Sequence, residues 1–277
     1  MVIRFAAGIL GLALLPAVQA TTKPGTIEVS VGDGVVDARR LSPYNNAFAV
    51  TYEVANGEPI RTGIWADQLS MRKVGGRDAW VRIQSMASFN GLVLTSVNSF
   101  DPVTFEPIST ILKNRDGSRE FWTYSGNVAR GHLIAPDGHE TFKTVTLSRP
   151  AFDFNCCMAS LIPAGLSFAR GSSFDLPGVP VKDGDPDVYH YVVRGKERIR
   201  AGYLGMVNAW RVEFHPPSGT ITFWFTDTPR RLVRERLQGL PSKTCAPADI
   251  SEHALCPAEG SAGGLHYDQT FDMIGGE

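Results

Sequence analysis

Residues Ile111–Leu147 read ILKNRDGSREFWTYSGNVARGHLIAPDGHETFKTVTL, and the punctuation of this stretch decides the fold. Asp116-Gly117, Ser125-Gly126-Asn127 and Asp137-Gly138 recur at a spacing of roughly ten residues. Such pairs tolerate the positive φ that tight hairpins need. The segments between them are rich in Thr, Tyr, Phe and Val, residues that suit a pleated, half-buried surface. The spacing predicts an antiparallel meander.

The same pattern extends outward. Upstream, Ala47–Val54 puts Phe48, Val50, Tyr52 and Val54 on one face. Ala79–Gln84 alternates Ala79, Val81 and Ile83 with Trp80, Arg82 and Gln84, and Leu92–Ser99 is a further strand. Downstream, strands are predicted over Val188–Val193, Arg198–Gly202, Val207–His215, Thr220–Thr226 and Leu232–Leu237. In Thr220–Thr226, Ile221, Phe223 and Phe225 share a face and Trp224 takes the other. Between the two strand-rich regions the period changes. Phe152, Phe154, Cys157, Leu161 and Ile162 recur at three and four residues, which predicts a short helix stopped by Pro163 and Gly165. A loop rich in Gly, Pro and Asp follows from Leu176 to Asp187.

The two ends read differently. Met1–Ala20 carries Arg4, then an apolar run from Phe5 to Leu15, then Pro16 and the small-residue site Val18-Gln19-Ala20. This is the pattern of a cleavable signal peptide. The run is too short for a transmembrane anchor, which needs roughly 20 apolar residues. No Cys follows Ala20 to carry a lipid. The expectation is a periplasmic protein with an N-terminal extension over 21–43, one β-rich domain over 44–237 and an irregular tail over 238–277. Cys245 and Cys256 flank a short Pro- and Ala-rich loop and are expected to form a disulfide, which an exported protein can keep. Adjacent Cys156 and Cys157 read as two small buried side chains, because a bridge between neighbours is strained.

The formal net charge is −1, and no basic tract interleaved with aromatics appears. Neither nucleic acid nor an anionic membrane is an expected partner. The cysteines lack the paired spacing of a zinc site. There is no H-E-x-x-H, no G-x-S-x-G and no G-x-G-x-x-G leading from strand to helix, so no catalytic residue, metal or cofactor is expected. A Ser-His-Asp site can assemble from distant positions, and His190 is the histidine placed to join one. Asp183-Gly184-Asp185-Pro186-Asp187 resembles the opening of a calcium loop but lacks its later ligands, and reads as a solvated turn. The tryptophans are Trp65, Trp80, Trp122, Trp210 and Trp224. Trp80 and Trp224 face away from their aliphatic neighbours. With Phe152 and Phe154 they are the expected lining of a ligand cavity between the sheet and the central helix.

The second half also carries a family resemblance. Pro150–Ile162 (PAFDFNCCMASLI), Pro163-Ala164-Gly165 and Phe174-Asp175-Leu176-Pro177 are followed by Val193-Arg194-Gly195-Lys196-Glu197, Trp210-Arg211-Val212-Glu213, Phe223-Trp224-Phe225 and Pro229–Arg234. This order resembles the exported bacterial family known as domain of unknown function 3108. The resemblance implies a mainly β fold, a curved antiparallel sheet, half-barrel or clam-like, wrapping a short central helix. It brings no catalytic residues. The function expected from these readings is a non-enzymatic envelope protein that binds a lipid-like or other apolar small molecule. A factor acting through contacts with an envelope protein is the alternative, and a hydrolase with an unrecognised site is a third reading.

Overall fold

The computed structural model describes residues 25–54, 59–88, 91–153, 157–178, 183–216, 219–241 and 266–276. Its first strands are β1 (Thr26–Glu28), β2 (Tyr44–Val54), β3 (Ile60–Val74), β4 (Arg77–Ser88) and β5 (Gly91–Phe100). The predicted meander supplies β6 (Pro107–Asn114), β7 (Arg119–Ser125), β8 (Val128–Ile134) and β9 (Glu140–Thr146). The second half supplies β10 (Ser173–Gly178), β11 (Asp187–Arg200), β12 (Met206–Phe214), β13 (Thr220–Phe225), β14 (Leu232–Pro241) and β15 (His266–Gly276). The Asp-Gly turns fall where the sequence places them: Gly117 and Gly138 adopt φ of 90° and 84°, a conformation open to glycine at no steric cost.

All fifteen strands form one sheet, in the order β1-β10-β11-β12-β13-β14-β15-β2-β3-β4-β5-β6-β7-β8-β9. Two meanders, β2–β9 and β10–β15, are thus joined side by side, and every pairing is antiparallel except that of β1 with β10. The sheet is open, with β1 and β9 at its edges. Near the β9 edge, Leu147 makes a single parallel bridge to Gly184. Asp183 accepts from the Thr146 amide at 2.6 Å and Asp185 from the Ser148 hydroxyl at 2.5 Å. Those carboxylates therefore tie a loop to the sheet edge.

The main core is one cluster fed by β2–β5 and by β10–β15 alike, so one face of the sheet turns inward on itself. Val29, Val36, Ala38 and Leu41 from the N-terminal extension are buried in it, as are Phe152, Met158, Leu161, Ile162, Ala164 and Leu166. These two segments fill the concave face. The second was expected to be the central helix, and it is not one: no α-helix occurs among the described residues. Single-turn bonds run through it instead, Leu161 N–H to Met158 O, Ala164 N–H to Leu161 O and Leu166 N–H to Pro163 O, with one 3₁₀ turn over Ile162–Gly165. Pro163 cannot donate, and Cys157 has φ of 77°. Both break an α-helical ladder, while the apolar spacing is satisfied by burial alone.

The tail is also more ordered than expected. His266–Gly276 forms β15, the seam between the two meanders, pairing with β14 on one side and β2 on the other. Gln269, Phe271 and Met273 share its buried face, a period-two signal in a stretch whose Pro, Ala and Gly neighbours mask it. Gly202, at the turn after β11, lies against this seam: a Cβ there would sit 1.4 Å from the Met273 carbonyl oxygen. Two strands predicted at Val188–Val193 and Arg198–Gly202 are the single strand β11, bulged between Val193 and Gly195. Among the described residues no helix is long and apolar enough to cross a membrane.

Candidate functional site

The inward face of β3 and β4 carries charge. The strand period puts Trp80, Arg82 and Gln84 on the core side of β4, and Trp65, Asp67 and Leu69 on that of β3. Arg82 is wholly buried. Its Nε and Nη2 donate to Asp67 Oδ1 and Oδ2 at 2.9 and 2.7 Å, a two-pronged pair. Arg82 Nη1 donates to Cys157 O at 2.6 Å and Nη2 to Ser160 Oγ at 3.0 Å, while Tyr44 OH donates to Asp67 Oδ2 at 3.1 Å. Burial would lower the affinity of Arg82 for its proton, and the adjacent Asp67 more than offsets this, so its pKa lies above the ordinary value. Burial, reinforced by Asp67, also keeps the Tyr44 phenol protonated. The cluster pins the 157–160 segment to the sheet.

Beside this cluster, where the two meanders meet, lies a cavity of about 190 Å³. Its apolar wall is Trp65, Met86 and Leu94 from one meander and Ile221, Phe223 and Phe271 from the other. Cys157, Ala159 and Ser160 cover it. Gln84 lines it too, and its amide is best placed with nitrogen donating to Cys157 O and oxygen accepting from Trp65 Nε1 and Arg82 Nη2. The last lining group is Glu235 of β14, flanked in register by Phe223 and Phe271. Burial raises its carboxyl from the usual range to about 8, with Asp67 adding to the shift and Arg82 opposing it. It is an acid held uncharged at neutral pH in an apolar wall.

The expected lining residues lie elsewhere. Trp80 is packed in the core, its indole donating to Ala38 O at 3.2 Å. Trp224 donates to Glu197 and lies under Arg234, whose guanidinium carbon is 5.9 Å from the ring centroid. Phe152 is fully buried, its amide bonded to Pro177 O. None of the three lines this cavity, and Phe154 lies outside the described residues, as do Cys156, Cys245 and Cys256. Cys157, expected as a small buried side chain, is half-buried and disulfide-bonded. Sequence reasoning missed Asp67, Arg82 and Glu235. The signal available along the chain was parity alone, Glu235 sharing that of Leu237; which face is inward is set by the pairing of distant strands, Glu235 lying between Phe223 and Phe271.

A second cluster gathers on the outer face around His190. Asp175 pairs with His190 across β10 and β11, and Ser173 lies two residues along the same face. His190 Nδ1 is 2.5 Å from Asp175 Oδ1, and Nε2 is 3.4 Å from Ser173 Oγ. With the Nδ1 proton directed at Asp175, Nε2 is the acceptor facing Ser173. Thr26 Oγ1 donates to Ser173 Oγ at 3.2 Å. Arg194 and His215 line the groove alongside. Burial would raise the nearby Glu213 carboxyl, but Arg194 and Arg211 hold it below the carboxylate range.

A family described as Protein of unknown function (DUF3108) matches residues 47–239. No curated protein matches. A solved structure, the β-barrel-like protein of domain of unknown function DUF1849 from Brucella abortus, is similar with a TM-score of 0.49 at 10% identity, covering 86% of this chain and 98% of that one.

Proposed function

The chain belongs to the DUF3108 family, and within that family of unknown function we propose that it is a non-enzymatic binding protein for an apolar small molecule. The observation that carries this reading is the cavity at the seam of the two meanders, walled by Trp65, Met86, Leu94, Ile221, Phe223 and Phe271. Concave, mainly apolar sites with few polar groups are the usual form of small-molecule pockets. A void of about 190 Å³ exceeds the engineered cavity of about 150 Å³ that holds benzene, so it admits a small molecule or the end of a longer chain. The reading includes export to the periplasm after cleavage behind Ala20. Native mass spectrometry of gently purified protein tests both parts. A mature mass starting at Thr21 with an apolar adduct supports them, and an uncleaved, adduct-free chain that takes up no fatty-acid or alcohol probe defeats them.

Two rival readings each keep one observation. A hydrolase would use Ser173 as nucleophile, His190 to accept its proton and return it to the leaving group, and Asp175 to orient the ring, as the chain of contacts at 3.4 and 2.5 Å suggests. Labelling of Ser173 by a fluorophosphonate, abolished by His190→Ala, would favour it. A protein-contact role would use the cross-strand row of exposed Ile111, Phe121 and Phe142 with half-buried His132, beside the β9 edge. A stoichiometric envelope protein recovered by pull-down and lost on Phe142→Glu would favour that.

A further inference from the structure

The cavity also specifies which end of its ligand carries polarity. Its polar lining is Gln84, Ser160 and Glu235. Gln84 is spent on Cys157 O, Trp65 and Arg82. Ser160 Oγ accepts from Arg82, which leaves its hydrogen to donate. Among the described residues Glu235 has no hydrogen-bond or ion-pair partner. The charged groups that act on its carboxyl are Asp67 on β3 and Arg82 on β4, and these are paired with each other. Its neighbours on β13 and β15 are Phe223 and Phe271, and Cys157, Ala159 and Ser160 of the covering segment bring no charge. Glu235 is half-buried and lines the cavity, so a ligand head that bonds its carboxyl takes the place of water there.

We propose that Glu235, as an uncharged carboxylic acid, anchors the head of a neutral amphiphile: an apolar chain or ring of about six to eight carbons ending in a hydroxyl or carbonyl oxygen. The O–H of Glu235 donates to that oxygen, its C=O accepts from a hydroxyl head, and Ser160 supplies a second donor. A cationic head would have to draw the proton from Glu235, and an anionic head would be buried without a counter-charge, since Arg82 is committed to Asp67. This assignment rests on the reading of the cavity as a ligand site.

Calorimetric titration of the purified full chain with octan-1-ol, octylammonium and octanoate separates the possibilities. Octan-1-ol should bind at least about tenfold tighter near pH 6 than near pH 9.5, where Glu235 is ionised: the carboxylate still accepts from the alcohol, but the apolar chain must then displace the water that a charge in an apolar wall retains. Glu235→Gln, which keeps the shape and a donor, should bind octan-1-ol equally at both pH values. Glu235→Leu should lose about tenfold for octan-1-ol and gain for octane. Thermal melts establish that each variant is folded. Octan-1-ol binding without pH dependence, or with a dependence that survives in Glu235→Gln, overturns the head-group assignment and leaves the cavity reading standing. Tighter binding of octylammonium or octanoate at both pH values overturns it in favour of a charged head. Failure of every probe to bind overturns the assignment and the cavity reading together.

Discussion

Two carboxylates face the interior within one neighbourhood, and the structure treats them oppositely. Asp67 is wholly buried but accepts three hydrogen bonds, two from Arg82 and one from Tyr44. Glu235 lines the adjoining cavity with none among the described residues. The first is a completed network, in which every strong donor has an acceptor; it holds the 157–160 segment in place and offers nothing to a ligand. The second is incomplete, which makes it the better candidate for function. Buried charge by itself does not mark a site here; an unfilled hydrogen-bonding capacity beside empty space does.

The comparison breaks most visibly if Arg82 is lost. Arg82→Met should lower unfolding stability by about 3–5 kcal/mol, because Asp67 is left as an uncompensated buried charge. Adding Asp67→Leu should recover much of that loss, since an apolar replacement of both partners removes the stranded charge. Urea denaturation of the single and double variants checks both values. A double variant no more stable than Arg82→Met would show that the network stabilises through more than charge pairing.

Glu235 should respond in the opposite direction. Its carboxyl is raised to about 8 in the folded protein, above the unfolded value of roughly 4.3. The folded state therefore holds a proton that the unfolded state gives up between these limits. Stability attached to this group is fully present below about pH 4 and falls as pH rises toward 8. Glu235→Gln should match the wild type near pH 4 and exceed it near pH 8 by up to about 5 kcal/mol. Taking the difference between the two proteins at each pH cancels the other titrating groups. A difference that is flat with pH would place the Glu235 carboxyl in water.

How legible this was from sequence divides along the same line. The meander of β6–β9 was readable because Asp116-Gly117 and Asp137-Gly138 act locally, within the few residues of each turn. The spacing of Phe152, Leu161 and Ile162 announced burial correctly but not conformation, since a plug held by single turns and a helix bury the same side chains. The seam strand β15 lay in a segment dominated by turn-forming neighbours, so its alternation of Gln269, Phe271 and Met273 did not stand out. The site was least legible. Arg82 and Glu235 look like solvent-facing members of alternating strands, and only the pairing of distant strands shows that their parity points inward. Trp80 and Trp224 drew attention by type, yet their indoles are committed to Ala38 and Glu197, whereas Trp65 reached the cavity through its register opposite Phe48 and Met86.

The finest test of the contrast is Tyr44→Phe. The phenol donates to Asp67 at 3.1 Å, and Phe keeps the ring while deleting that one donor. Asp67 retains both bonds from Arg82, so the cost should be about 1 kcal/mol, the net value of one hydrogen bond, rather than the larger loss expected on removing Arg82. The cavity should keep its ligand affinity, because Tyr44 is not part of its lining. Equilibrium unfolding and the octan-1-ol titration on the same sample read the two quantities independently. A large drop in affinity with a small drop in stability would mean that the completed network and the incomplete one are coupled through Asp67, and that the charge on Asp67 helps keep Glu235 protonated for its ligand.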